Sequence, residues 1–258
     1  MSAVQTRPLG AQISHMLKSR GVEVIFGIPG VHNQEMYRGI EEAGLTHVLA
    51  RHEQGAGFMA DGYARATGKP GVAYVITGPG LCNVMTPMGQ AYSDSVPVLV
   101  LSSCLDETAA RKGQLHQMND QRAAAETVCD WSEMALTAPA AYQLIDRALT
   151  EFATSRPRSK HISVPIHLLE AEAAPAHALA VTSSLPAVPS AQIDLLAQKL
   201  AAAQKPLFIF GGGAVGVQNV DALLARWQAA SLTTYAGRGI VSPGAPLHFG
   251  AYLARASS

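Results

Sequence analysis

Residues 51–65 read RHEQGAGFMADGYAR, and they follow the apolar, strand-like run THVLA (46–50). The order is a buried strand, a short turn, then a helix whose faces carry Ala, Gly and Met and whose first residue is a glutamate. A carboxylate at such a junction is costly unless something pairs with it. A charge at the helix N-terminus, or an ion pair with Arg51 or Arg65, is the ordinary reading of Glu53. Gly55, Ala56, Gly57 and Ala60 instead suggest close packing and little polar relief, conditions that fit a carboxyl to exchange a proton with a ligand.

The same alternation extends in both directions. Leu9, Ile13, Met16 and Leu17 mark a first helix and VEVIFG (22–27) a strand; Met36, Tyr37 and Ile40 mark a second helix. The helix at Glu53 runs to about Thr67, where GKPG breaks it. VAYVIT (72–77), VPVLVLSS (96–103), SEMALT (132–137) and KHISVPI (160–166) read as strands, with helices through Ala91 and over AAYQLIDRALTEFATS, and a loop over 104–118. Continuous apolar strands separated by helices indicate a parallel sheet covered on both faces, a doubly wound α/β domain over residues 1–170. Residues 171–188, rich in Ala, Ser and Pro, read as a linker. Residues 189–258 restart the pattern with two helices and two short strands, an incomplete Rossmann-like domain.

Bulk properties narrow the function. Hydrophobic residues make up 48% and charged residues 15%, with 19 basic against 19 acidic side chains. A net charge of zero argues against nucleic acid or an anionic membrane as partner, and the sparse charge favours self-association. No apolar run is long enough to span a bilayer and the first residues lack a signal-peptide pattern, so a cytoplasmic location is expected. Cys82, Cys104 and Cys129 have no CxxC spacing and read as reduced, mostly buried thiols. No set of residues has metal-ligand spacing, His32 included.

Several short motifs are ambiguous singly. In FGIPGVHN (26–33), Pro29 fixes φ and Gly30 is free for positive φ, either as a plain turn or as a ledge for a ligand. ITGPGLCN (76–83) is a tight turn with Asn83 serving local backbone groups, or a loop whose Thr77 and amides donate to a heterocycle. QLHQMNDQR (114–122) is a solvated loop, or one that brings His116 and Gln117 over the sheet edge. GGGAVG (211–216) matches the dinucleotide fingerprint, but no acidic residue ends the next strand; a close-packed turn without nucleotide affinity is favoured.

Taken in order, GIPG, RHEQGAGFMADGYARATGKPG, ITGPGLCN and AYSDSVPVLVLSS resemble the N-terminal pyrimidine-binding domain of thiamine-diphosphate-dependent enzymes, the family of acetolactate synthase and benzoylformate decarboxylase. GIPGVH and the LH-x-x-x-DQR loop look most like the branch acting on 5-guanidino-2-oxopentanoate. The resemblance covers about residues 8–170, and 189–258 are similar to the start of the family's middle domain. It implies a lyase or transferase acting on a 2-oxo acid. Glu53 would hold a ring nitrogen of the aminopyrimidine and share a proton with it. Pro29 and Gly30 would line the pocket, Thr77, Gly78 and Asn83 would sit near the ring, and His116 and Gln117 would face the substrate. His116 stands where acetolactate synthases carry a Gln, which turns the expectation toward a different 2-oxo acid. The family holds the diphosphate through Mg²⁺ at a GDG motif in a C-terminal domain, and GDG is absent here. The chain is thus expected to bind only the pyrimidine half and to need a homo-oligomer or a partner chain for the rest; the alternative is a truncated, non-catalytic assembly module. Nothing in the sequence supports FAD.

Overall fold

A computed structural model describes residues 5–106, 113–178 and 187–251. The chain divides into two compact units at Pro186/Ala187. In the first, the elements in order are β1 (Arg7–Pro8), α1 (Leu9–Ser19), β2 (Val24–Gly27), α2 (Gln34–Glu42), β3 (Thr46–Leu49), α3 (Glu53–Thr67), β4 (Gly71–Val75), α4 (Pro79–Asp94), β5 (Val98–Cys104), α5 (Gln121–Glu126), β6 (Ser132–Met134), α6 (Ala138–Thr154), β7 (Lys160–Pro165), α7 (Ile166–Glu170) and β8 (Glu172–Ala173). Six strands form a parallel sheet in the order β3-β2-β4-β5-β7-β6.

The apolar runs of the central strands divide between two faces, as the two-residue period of a strand requires. On β4 and β5, Val72, Tyr74, Leu99 and Leu101 face one core with Leu9, Ile13, Leu17 and Ile145 from α1 and α6. Ala73, Val75, Val98 and Val100 face the other, with Ala56, Ala60, Leu81, Val84 and Met88 from α3 and α4. Burial on both faces is why these strands lack polar alternation. The α3 face is small because α3 lies tightly on α4: a Cβ on Gly57 would stand 2.8 Å from Val84 Cγ2 and press on Pro87. Gly55, expected to share in that packing, is exposed and has open space around it.

The strand order places a switch point beside β2. The chain leaves β2 for β3 on one side, then crosses back to β4 on the other. Connections diverging from the carboxyl ends of two adjacent strands open a crevice there, where open α/β sheets bind ligands.

The segment expected as a linker from 171 onward is held to this unit over its first part. Pro8 and Arg7 pair with Glu172 and Ala173, Tyr142 Oη donates to Ala174 O (2.8 Å), and Arg20 Nη2 donates to His177 O (2.8 Å). The rest of that linker, 179–186, and part of the 104–118 loop, 107–112, lie outside the described residues. So do the last seven residues of the 189–258 domain.

The second unit holds α8 (Ser190–Ala202), β9 (Leu207–Phe210), α9 (Val220–Trp227), β10 (Ala230–Thr233) and β11 (His248–Ala251), with a parallel sheet ordered β11-β10-β9. Its third strand, β11, had no sequence signal. After β9, GGGAVG forms a single 3-10 turn at Gly212–Ala214, and α9 begins only at Val220. No helix N-terminus therefore abuts the glycines, and the fingerprint lacks the element that binds pyrophosphate. Among the described residues, no helix is long and apolar enough to cross a membrane.

Candidate functional site

Four consecutive strand ends converge on the crevice: the GIPG turn after β2, Glu53 after β3, the GPG turn after β4 and the 113–120 loop after β5. Glu53 opens α3 without capping it. The cap is His52, whose Nδ1 accepts the Gln54 N–H at 3.1 Å. The half-buried Glu53 carboxylate turns to α4, where its Oε2 accepts from Asn83 Nδ2 at 2.9 Å. Asn83 therefore serves a side chain 30 residues away, and of the two readings of its turn the one that gave it to local backbone groups is not what the structure shows. Arg65 pairs with Asp61 and Asp94, and Glu53 makes no ion pair among the described residues.

Oε1 of Glu53 has no hydrogen-bond partner among the described residues and lies 3.5 Å from where a Gly80 Cβ would stand. That same Cβ would come within 2.7 Å of Ile76 Cγ2. Across the crevice, a Cβ on Gly30 would come within 2.5 Å of Ile76 Cδ1. The φ of Gly30 is not positive, contrary to the expectation for this turn, and a Cβ there would displace only the end of the Ile76 side chain. Its N–H donates to Asn33 Oδ1 (2.7 Å), and Asn33 is fully buried. Pro29 is exposed at the crevice rim.

The loop donors expected to serve a ligand are already used. Thr77, 2% exposed, donates its N–H to Ser103 Oγ (3.0 Å) and shares a hydrogen bond of 2.9 Å between the two hydroxyls. The Gly78 N–H donates to Gln121 Oε1 at 2.9 Å. Gly78 has φ 65° and ψ −104°, and the His116 carbonyl occupies the place of a Cβ, so this position accepts only glycine without a shift.

His116, itself at φ 63°, sets its ring 5.3 Å from that of His32, edge to face. Burial and then the neighbouring His116 hold the His32 imidazole below its ordinary pKa. Gln117 Oε1 accepts from Gly113 and Gln114 N–H, closing the loop on itself, and Gln117 lines a cavity of about 300 Å³ with Thr77, Asp106, Asn119 and Gln121. Next to Glu53, Tyr37 Oη donates to Tyr74 O (2.9 Å); burial foremost, then the Tyr74 hydroxyl and the Glu53 charge, raise the Tyr37 pKa.

Sequence reading passed over Gln121 and His161. Gln121 Nε2 donates to Ser103 O (2.8 Å) and Ser102 Oγ (3.0 Å). His161 is fully buried with its Nε2 on Ser102 Oγ (2.8 Å) and its Nδ1 on Ser132 Oγ (2.7 Å). The available signal was a histidine and three serines inside otherwise apolar strands. Among the described residues, no group of three or more His, Cys, Asp or Glu is placed to hold a metal.

A carboxylate, a carboxamide and two glycines thus meet at the switch point of a parallel α/β sheet, the position where open α/β sheets bind ligands. Residues 7–124 match the family model described as thiamine pyrophosphate enzyme, N-terminal TPP binding domain, and the chain belongs to the thiamine-diphosphate-dependent enzyme family. Over 258 aligned residues it is 46% identical to a probable 2-ketoarginine decarboxylase of Pseudomonas aeruginosa, covering 98% of this chain and 46% of that one. It is 30% identical to the acetolactate synthase isozyme 2 large subunit of Escherichia coli (93% of this chain, 44% of that one). It is 34% identical to the acetolactate synthase large subunit of Lactococcus lactis (86% and 40%). The chain spans a little under half the length of these relatives.

Proposed function

We propose that this chain is the pyrimidine-binding portion of a 2-oxo acid decarboxylase or acetolactate synthase-like enzyme, with Glu53 as its catalytic carboxyl. The observation that carries the reading is the pairing of one oxygen of Glu53 with Asn83, which leaves Oε1 beside Gly80 with no hydrogen-bond partner among the described residues. A Cβ at Gly80 would press on Ile76 and stand against Oε1, so only a side-chain-less residue leaves that oxygen open to a flat ring bearing a nitrogen at its edge. Glu53 holds that ring nitrogen and shares a proton with it. Asn83 fixes the carboxylate plane, and Gly30, Ile76 and Gly80 shape the walls. The cofactor, when bound, supplies the electron sink for loss of carbon dioxide from a 2-oxo acid. His116, at the rim with His32, faces the substrate side.

The diphosphate and Mg²⁺ are held by groups outside residues 1–258, on a domain that carries the GDG motif absent from them. Val31, Leu49 and Leu115, all more than 60% exposed at the carboxyl edge of the sheet, give such a domain an apolar surface to cover. The name of the 2-ketoarginine decarboxylase relative favours a larger 2-oxo acid over pyruvate as substrate.

The test reconstitutes the chain with a diphosphate-binding domain, thiamine diphosphate and Mg²⁺, and measures carbon dioxide release from 2-ketoarginine and from pyruvate. Glu53→Gln keeps an acceptor for Asn83 and removes the shared proton. A loss of about 100-fold or more is expected with the fold intact. An unchanged rate refutes the assignment of Glu53.

A further inference from the structure

Beneath the crevice lies a buried polar network of Ser102, Ser103, Gln121, Ser132, His161 and Ser163. Polar groups so placed are stabilising only when every member is satisfied. Gln121 is the member that reaches the crevice. Its side chain is 8% exposed and its two ends have different partners. Oε1 accepts the Gly78 N–H at 2.9 Å. Nε2 donates to the Ser103 carbonyl at 2.8 Å, with Ser102 Oγ at 3.0 Å and Ser163 Oγ at 3.2 Å. Ser103 lies near the end of β5 and Gly78 ends the turn after β4, and these strands are neighbours in the sheet. One carboxamide therefore ties two adjacent strand ends together.

The turn at Gly78 leads directly into the site. Helix α4 starts at Pro79 and carries Gly80 and Asn83, the two residues that flank Glu53. We infer that Gln121 is a positioning residue for the pyrimidine site: it sets the turn at Gly78 and thereby the placement of Gly80 and Asn83 against Glu53, with His161 as its buried anchor. The ligand in this inference rests on the function proposed above; the clamp itself does not. Only glutamine meets the demands of the position. Asparagine is too short to span both partners, glutamate lacks the donor, and methionine, of similar volume, lacks both ends. His161 secures the arrangement because both its ring nitrogens are held, one by Ser102 and one by Ser132, so Ser102, which meets Gln121, is tied through the ring to β6.

The test uses the whole ¹⁵N-labelled chain and amide hydrogen exchange, with thiamine as the ligand probe. Gln121→Met is expected to speed exchange at Gly78 roughly tenfold, the scale of one lost hydrogen bond, while amides inside β4 and β5 keep their protection. The same variant is expected to bind thiamine at least fivefold more weakly, read from the Asn83 side-chain resonances. Gln121→Glu supplies a pH signature. Its carboxylate has no donor, and protonation restores one, so protection at Gly78, corrected for intrinsic rates, rises as pH falls from 7 to 5. Wild-type protection shows no such rise over that range. Unchanged Gly78 exchange in Gln121→Met, or an equal loss of protection throughout the sheet, overturns the inference. A local effect at Gly78 with no thiamine binding by wild type keeps the clamp and overturns the ligand.

Discussion

Burial of His161 makes acid a specific threat to the first unit. Its imidazole is fully enclosed between Ser102 and Ser132, and desolvation lowers its pKa to about 3 from an ordinary 6.5. Its folded pKa lies below its unfolded one, so the unfolded chain binds the extra proton first. Stability is therefore full above pH 6.5 and falls as pH drops toward 3, at about 1.4 kcal/mol per unit. At pH 5 the loss is about 2 kcal/mol, a sizeable part of a typical domain's 5–15 kcal/mol. Glu151, lowered to about 2 mainly by its hydrogen bonds with Lys160, Trp131 and Arg147 against an opposing desolvation, contributes its own acid sensitivity only below about pH 4.5. The window from pH 5 to 6.5 thus isolates histidine. Urea unfolding at pH 7.5 and 5.0, followed by Trp131 fluorescence with Trp227 replaced by Phe, should show the midpoint fall by about 1 M, given a slope near 2 kcal/mol per M. His161→Gln should lose less than half as much over the same interval, because the remaining contribution from His32 is common to both proteins. The wild-type His161 ring should also show no titration by NMR between pH 7.5 and 5. A His161 that titrates near 6.5, or equal pH sensitivity in the two proteins, refutes the reasoning.

Two further predictions probe the surroundings of Glu53. Along α3, Gly57→Ala should cost about 1–3 kcal/mol, since its methyl meets Val84 and Pro87, while Gly55→Ala, exposed with open space, should gain about 0.5–1 kcal/mol; thermal melts of both settle the α3–α4 packing, and equal effects would contradict it. Asn83→Asp places a second carboxylate beside Glu53 and removes the 2.9 Å hydrogen bond, so about 1–3 kcal/mol should be lost at pH 7.5 and partly recovered toward pH 5 as one of the two takes a proton; urea midpoints at both pH values measure it, and unchanged stability at pH 7.5 would show that the contact does not form in solution.

Much of the first unit was legible because its signals are local. The helix bounded by Glu53 and Thr67 carries its own start and stop: His52 caps it, and Gly68 turns left-handed at its end. Strands β4 and β5 announce themselves by apolar length. What could not be read depends on contacts between distant segments. The partnership of Glu53 with Asn83 exists only once α3 has packed on α4. Gly30 was given a conformational reason, yet its φ is not positive and it faces the end of Ile76, a residue 46 positions on. Gln121 sits in a stretch whose polar composition suggests solvent. Only the fold reveals that the residue after the Asp120 cap points inward. The GGGAVG pattern failed for the opposite reason: the regular expression matches while the helix it needs begins four residues too late.

The disposition of donors says which part of a ligand this crevice suits. A phosphate is held by free backbone N–H groups and by cations. Here the N–H of Gly30 is taken by Asn33, that of Thr77 by Ser103 and that of Gly78 by Gln121. What the walls present instead is an acceptor, the Oε1 of Glu53, beside Gly80. An anion entering would meet a carboxylate and no uncommitted loop donor among these three. A neutral or cationic heterocycle with a protonated edge would meet its complement. The donors are spent inside the protein to hold loop shape, and that fixes the turns around the Glu53 carboxylate. Under the function proposed above, these committed donors are consistent with phosphate-holding groups that lie outside this crevice.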